Sequence, residues 1–104
     1  MMANFPRLQG GNVVVYPESL EVFVSSRNVR VTRTHLKFLT ALLSNFCKTV
    51  SYERIMDVEG RPLTRAEQNL LKVQMFHLRR VLQRHNAGLE IRNVYGQGYQ
   101  IRPI

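Results

Sequence analysis

The chain has a single cysteine, Cys47, among its 104 residues. One thiol cannot close an internal disulfide, nor build a cysteine-rich zinc site. Such a chain fits a reducing cytosol, and a cytoplasmic location is expected. Cys47 itself is expected as a small buried apolar residue at the end of a helix. Acidic residues are also scarce: 7 Asp and Glu against 15 Lys and Arg, for a net charge of +8. Those seven show no paired motif for general acid–base work. His35, His77 and His85 are scattered, and neither a nucleophile elbow nor a phosphate-binding loop occurs. No enzyme activity, metal or cofactor is therefore expected. No run approaches the roughly 18 apolar residues that a membrane span needs. The amino-terminal MMANFPRLQGG lacks the apolar centre of a secretory signal. Repeats, low-complexity tracts and dividing linkers are missing too, so one domain over 1–104 is expected.

What is present is a strong charge asymmetry. Residues 61–104 hold eight Lys and Arg against two Glu, whereas residues 1–60 hold seven against five. Nucleic acid is the commonest partner for such a field. An anionic membrane or an acidic protein is the less common partner, and a merely solvated basic face is the bland reading.

The stretch 64–104 organises the rest. Thr64 and Glu67 fit a capping box, and Leu71, Met75, Leu78 and Leu82 then recur at four, three and four residues. That spacing predicts one long helix over 64–85, with its apolar stripe buried. Asn69, Lys72, Val73, Phe76, His77 and Arg80 fall away from the stripe. Asn86-Ala87-Gly88 closes the helix with residues that tolerate the left-handed conformation. Residues 89–95 and 99–102 read as two strands joined at Gly96-Gln97-Gly98, with both glycines expected to serve turn geometry.

Upstream, β-branched and alternating stretches predict strands at 12–16, 20–24 and 29–31, with turns at 17–19 and 25–28. Thr32 is a good N-cap for a core helix over 33–45 that buries Leu36, Leu39, Leu43 and Phe46. Ser51 caps a short helix over 52–58, with Glu53 where the helix dipole favours it. Gly60 and Pro62 form the connection to the long helix. The expected fold class is α+β: a winged helix-turn-helix with an N-terminal antiparallel β platform (1–31), three helices (32–85) and a C-terminal β-hairpin wing (86–104).

These residues resemble a family. Leu71-Lys72-Val73-Gln74-Met75-Phe76-His77-Leu78-Arg79, followed by Leu82, looks like the recognition-helix pattern of the winged-helix DNA-binding domain in OmpR/PhoB-type bacterial response regulators. Ile91-Arg92-Asn93-Val94-Tyr95-Gly96-Gln97-Gly98-Tyr99-Gln100-Ile101 is similar to that family's wing, Ile-x-Thr-Val-x-Gly-x-Gly-Tyr-x-Leu. Val31-Thr32 fits the start of its first helix, and the resemblance covers nearly the whole chain. Four positions depart from the pattern. His35 stands where the family usually has an acid, Lys72 where it has Asp, Asn93 where it has Thr, and Tyr95 where it often has a basic residue. Only 31 residues precede the first helix, so a receiver domain and control by aspartyl phosphorylation are not implied unless the chain is a piece of a longer protein.

The resemblance implies a sequence-specific transcription regulator that binds double-stranded DNA, often as a homodimer on repeated half-sites. Groove contacts fall to Asn69, Lys72, Val73, Phe76 and His77, backbone contacts to Arg79 and Arg80, and wing contacts to Arg92, Tyr95 and Gln97. Chemically, Lys72 and Arg80 suit phosphate or guanine, Asn69 and Gln74 suit adenine, and Val73 and Phe76 suit a thymine methyl. Each has a plainer reading: Phe76 packed on a neighbour, His77 solvated, Arg79 bridged to Glu67 or to the platform, Arg84 and Arg102 solvated, Tyr99 in the core. The alternative function is an interaction protein that binds RNA polymerase or another regulator.

Overall fold

A computed structural model describes residues 7–104. The expectation about a secretory signal falls mainly on residues 1–6, outside the described residues, as does the start of the platform. The elements run β1 (Leu8–Gly10), β2 (Val13–Tyr16), β3 (Glu21–Val24), β4 (Arg27–Val29), α1 (Arg33–Leu43), β5 (Val50–Ser51), α2 (Tyr52–Ile55), α3 (Arg65–Arg84), β6 (Leu89–Val94) and β7 (Gly98–Pro103). The first four strands form an antiparallel meander, and the last three form a second sheet in the order β5-β7-β6. The architecture is the expected α+β winged helix.

The platform has four strands where three were expected. β1 was missed because Leu8-Gln9-Gly10 is too short to show an alternation. The turn at 25–28 is tighter than read. Ser25 and Ser26 take φ of 51° and 67°, and Val24 pairs directly with Arg27. Left-handed φ at both central residues is the two-residue hairpin geometry that matches strand twist, so Arg27 and Asn28 belong to β4. The fourth strand ends at Val29 rather than Val31. Leu20, expected in a strand, has φ 58° and is exposed. Val13, Val15, Val22 and Val24 all face inward against the helices.

α1 opens as expected, with the Thr32 hydroxyl accepting from the His35 amide at 3.0 Å. It closes at Leu43, two residues early. The chain then turns into β5 through Cys47, whose φ is 64°. Cys47 is exposed, contrary to expectation. Its amide donates to the Ile101 carbonyl, and its own carbonyl accepts from Gln100. Val50 and the half-buried Phe46 pack on the core on either side of it, so the thiol is left outside.

One apolar core joins the inner face of the platform, α1, the stripe of α3 and the hairpin. The four residues predicted for the α3 stripe are the four that are buried, with Met75 and Leu78 fully enclosed. The helix before it, α2, is one turn long rather than two. Asp57 follows with φ 60°, which no α-helix continues.

β5 was not anticipated, and it corrects the role of Gly98. Gly96 does sit at a left-handed φ of 75°. Gly98 does not; it pairs with Ser51 in the β5–β7 ladder. A Cβ there would meet the Val50 carbonyl oxygen at 1.8 Å. Its need for glycine is close backbone approach, not turn geometry.

Candidate nucleic-acid interface

α3 is fixed at its head by two interlocking devices. Thr64 Oγ1 accepts from the Glu67 amide at 3.1 Å, and a Glu67 carboxylate oxygen accepts from the Thr64 amide at 2.9 Å. Arg61 then clasps the same carboxylate through both of its terminal nitrogens, each at 2.8 Å. Arg61, first of all, and then the Thr64 amide hold the Glu67 carboxyl down at about 2. This part of the helix start is therefore present above the ordinary carboxylate range and is lost as pH falls toward about 2. Thr64→Ala is expected to cost about 1 kcal/mol, read as a lower midpoint in urea with an unchanged slope.

With the stripe buried, helical spacing of 100° per residue places Asn69, Val73, Phe76 and Arg80 along the outward centre of α3. All four are exposed, Val73 and Phe76 at 51% and 53%. The Arg80 guanidinium lies over the Phe76 ring, 5.7 Å from its centroid. Phe76 thus carries Arg80 instead of packing into the core. Lys72, Arg80, Arg84 and Arg92 have no carboxylate partner among the described residues, whose ion pairs are Lys37–Asp57, Arg61–Glu67 and Arg102–Glu90. Arg102, expected to be solvated, is thus paired.

Arg79 lies on the edge of α3 nearest the hairpin. Its Nε donates to the Ile91 carbonyl at 2.9 Å, and its guanidinium faces the Tyr99 ring at 5.6 Å. It bridges neither to Glu67, which Arg61 holds, nor to the platform. Tyr99 is buried, as expected, and meets Tyr52 edge-on at 5.5 Å. The Tyr52 hydroxyl donates to Asn93 Oδ1 at 2.6 Å. This chain of contacts fastens α3, α2 and β6 at one angle. Periodicity could not reveal it, because its links lie 12 to 47 positions apart in sequence.

The hairpin tip, Tyr95-Gly96-Gln97, is exposed, and Tyr95 stands 93% free. Between this tip and α3 lies a cleft of about 430 Å³, lined by Lys72, Gln68, Leu63, Tyr52, Asn93 and Tyr95 among others. The fold thus brings Lys72 and Tyr95 to one cleft and sets Asn69, Val73, Phe76 and Arg80 in a row beside it. Arg92 and Gln97 are exposed on the hairpin. Tyr52 and Asn93 join this cleft although neither was a predicted contact. The sequence signal for Asn93 was its departure from the wing pattern.

On the opposite edge of α3 lie Gln74 and the exposed His77. The His77 ring is 6.5 Å from that of His35 at the head of α1. Burial lowers the pKa of His35 from 6.5; the Gln74 amide opposes this, and the charge of His77 adds to it. A neutral buried histidine stabilises the fold above its unfolded value. Stability is therefore expected to fall as pH drops through 6.5, levelling off below the folded-state value. Thermal midpoints stepped through that range should show this loss, and His35→Leu should lack it.

Among the described residues no helix is long and apolar enough to cross a membrane, and no cluster of three or more His, Cys, Asp or Glu could hold a metal ion. No curated protein sequence matches the chain. Solved structures do. The DNA-binding domain of CpxR from E. coli superposes with a TM-score of 0.79 at 24% identity, over 94% of this chain and 97% of that one. The RstA DNA-binding domain from Klebsiella pneumoniae, solved in complex with the RstA box, gives 0.75 at 16% identity, over 94% and 98%. The DNA-binding domain of E. coli CadC gives 0.71 at 18%, over 95% and 94%. At these identities the likeness establishes the winged-helix fold. The sequence itself matches a family over residues 26–101, from the turn before β4 into the last strand, β7. A capped helix with an unneutralised basic face, locked to a hairpin beside it, is thus the form taken here by a known regulatory module: the chain belongs to the family of transcriptional regulatory protein C-terminal domains.

Proposed function

We propose that the chain is a single domain that binds double-stranded DNA, with α3 in the major groove and the β6–β7 hairpin on phosphate or in the minor groove. The observation that carries this reading is the row Asn69, Val73, Phe76 and Arg80, exposed on a helix whose free cations have no acid of their own among the described residues. An α-helix fits the major groove, and these side-chain types suit base edges and thymine methyls. Lys72, in the cleft between α3 and the hairpin, suits a phosphate that follows that cleft. Arg92, Tyr95 and Gln97 extend the contact along the wing, and His77 extends it on the far edge. Arg79 serves mainly to hold the helix to the hairpin. The RstA DNA-binding domain, which shares the fold, was solved in complex with the RstA box. A pair of chains on half-sites one helical turn apart is the expected assembly.

Selection of bound duplexes from a random pool tests the proposal. Enrichment of a common sequence, with binding that weakens steeply in salt, is expected. A pool that stays random, or a chain that retains no duplex at low salt, refutes sequence-specific binding. The half-exposed Leu70, Val73 and Phe76 also keep a second reading open, a protein-binding face for RNA polymerase or another regulator. A stable complex with polymerase and no DNA shift would favour it.

A further inference from the structure

The outward centre of α3 is poor in hydrogen-bonding groups. By helical spacing, the residues within about 60° of Val73, from the first turn to the middle of the helix, are Ala66, Asn69, Leu70, Val73 and Phe76. Asn69 alone among them has a polar side chain. Ala66, Leu70, Val73 and Phe76 follow one another at four, three and three residues, so each is the surface neighbour of the next. They form an apolar ridge about 15 Å long. All four are exposed, Leu70 at 47%. Leu71, Met75, Leu78 and Leu82 already fasten the helix to the core from its other side, so the fold makes no use of the ridge.

The surroundings of the ridge point to what covers it. Arg65 and Lys72 share one edge of it, and Arg80 and Arg84 follow it, none with a carboxylate partner among the described residues. Three half-exposed side chains and an alanine fall far short of the roughly 800 Å² that each side of a stable protein complex gives up. A polyanion that offers apolar groups between its charges fits both the ridge and its rim. In the major groove only thymine offers one, its 5-methyl; the other groups on the base edges are donors and acceptors. Over its length the ridge crosses about four base pairs. Against G·C pairs it would strip water from O6, N7 and the N4 amino group and supply no partner, at a cost for each. Against thymine it buries a methyl, and Asn69 has the amide that adenine takes bidentately.

We propose that Leu70, Val73 and Phe76 read the 5-methyl groups of pyrimidines, so that the target is a duplex with a thymine-rich block and binding depends on the methyls themselves. This rests on the DNA reading above. The test uses the whole chain and the duplex enriched from the random pool. Thymidines are replaced one at a time by deoxyuridine, which removes the methyl and keeps the hydrogen-bonding groups. Anisotropy titration should show binding about fourfold weaker for each contacted methyl lost. The slope of log affinity against log salt should not change, because no charge has changed. Replacement outside the block is the control and should have no effect. A cytidine placed in the block should bind better once 5-methylated. In Leu70→Ala and in Phe76→Ala the uracil effect should vanish at one position each. Both side chains are exposed, and thermal midpoints near wild type check that the variants fold. An enriched sequence without a thymine-rich block, or uracil throughout the block without effect, overturns the inference alone. So does an uracil effect that persists in a folded chain with all three residues changed to alanine. If that triple variant loses polymerase but keeps its duplex affinity, the ridge belongs to a protein partner. A chain that enriches no sequence, or binds no duplex at low salt, removes the DNA reading and the inference together.

Discussion

Gly98→Ala should destabilise the fold by at least about 3 kcal/mol, a large part of the roughly 5–15 kcal/mol that holds a domain together. The added Cβ would lie 1.8 Å from the Val50 carbonyl oxygen and 2.9 Å from the Ser51 Cα. These are backbone atoms of β5, so no side-chain rotation relieves the overlap. The strand must move, and it carries the fully buried Val50 and the Ser51 cap of α2. Gly96→Ala is the control. Its φ is 75° and nothing lies within 4 Å of an added Cβ, so only the left-handed backbone penalty of about 1–2 kcal/mol applies. Urea unfolding of the two variants decides the matter: equal midpoints would show that both glycines serve the turn alone.

The second large effect concerns binding. Lys72→Ala combined with Arg80→Ala should weaken duplex affinity by about 10- to 100-fold at physiological salt and reduce the slope of log affinity against log salt by nearly two units. Neither cation has a carboxylate partner among the described residues, so the fold gives up little. The Arg80–Phe76 contact is worth about 0.5–1 kcal/mol at an exposed site, which bounds the change in stability. Anisotropy titrations at several salt concentrations read both quantities. An unchanged salt slope in a folded double variant would remove α3 from the interface. Loss on the selected duplex but not on a mixed-sequence one would make Arg80 a base reader rather than a phosphate contact.

Several features of this molecule were legible in the order of its residues, because they depend on neighbours three or four positions apart. Leu71, Met75, Leu78 and Leu82 declare the buried side of α3 without any knowledge of what they pack against. Thr64 and Glu67 declare where that helix begins. Once the stripe is known, the outward row of Asn69, Val73, Phe76 and Arg80 follows from helical geometry alone. The charge surplus in residues 61–104 follows from composition.

Contacts between distant segments belonged to the tertiary structure. Arg79 turns to Ile91 and Tyr99, twelve and twenty residues on, and so joins helix to hairpin instead of reaching outward with its neighbours. Cys47 is exposed because the chain must reverse there to lay Val50 against Tyr99. Gly98 is needed because β5 passes so close, and a two-residue strand leaves no periodicity to read. His35 meets His77 across two helices whose spacing in the chain says nothing of their packing. Local pattern determines which face of an element is apolar; only the packed fold decides which residue of another element that face, or its edge, will meet.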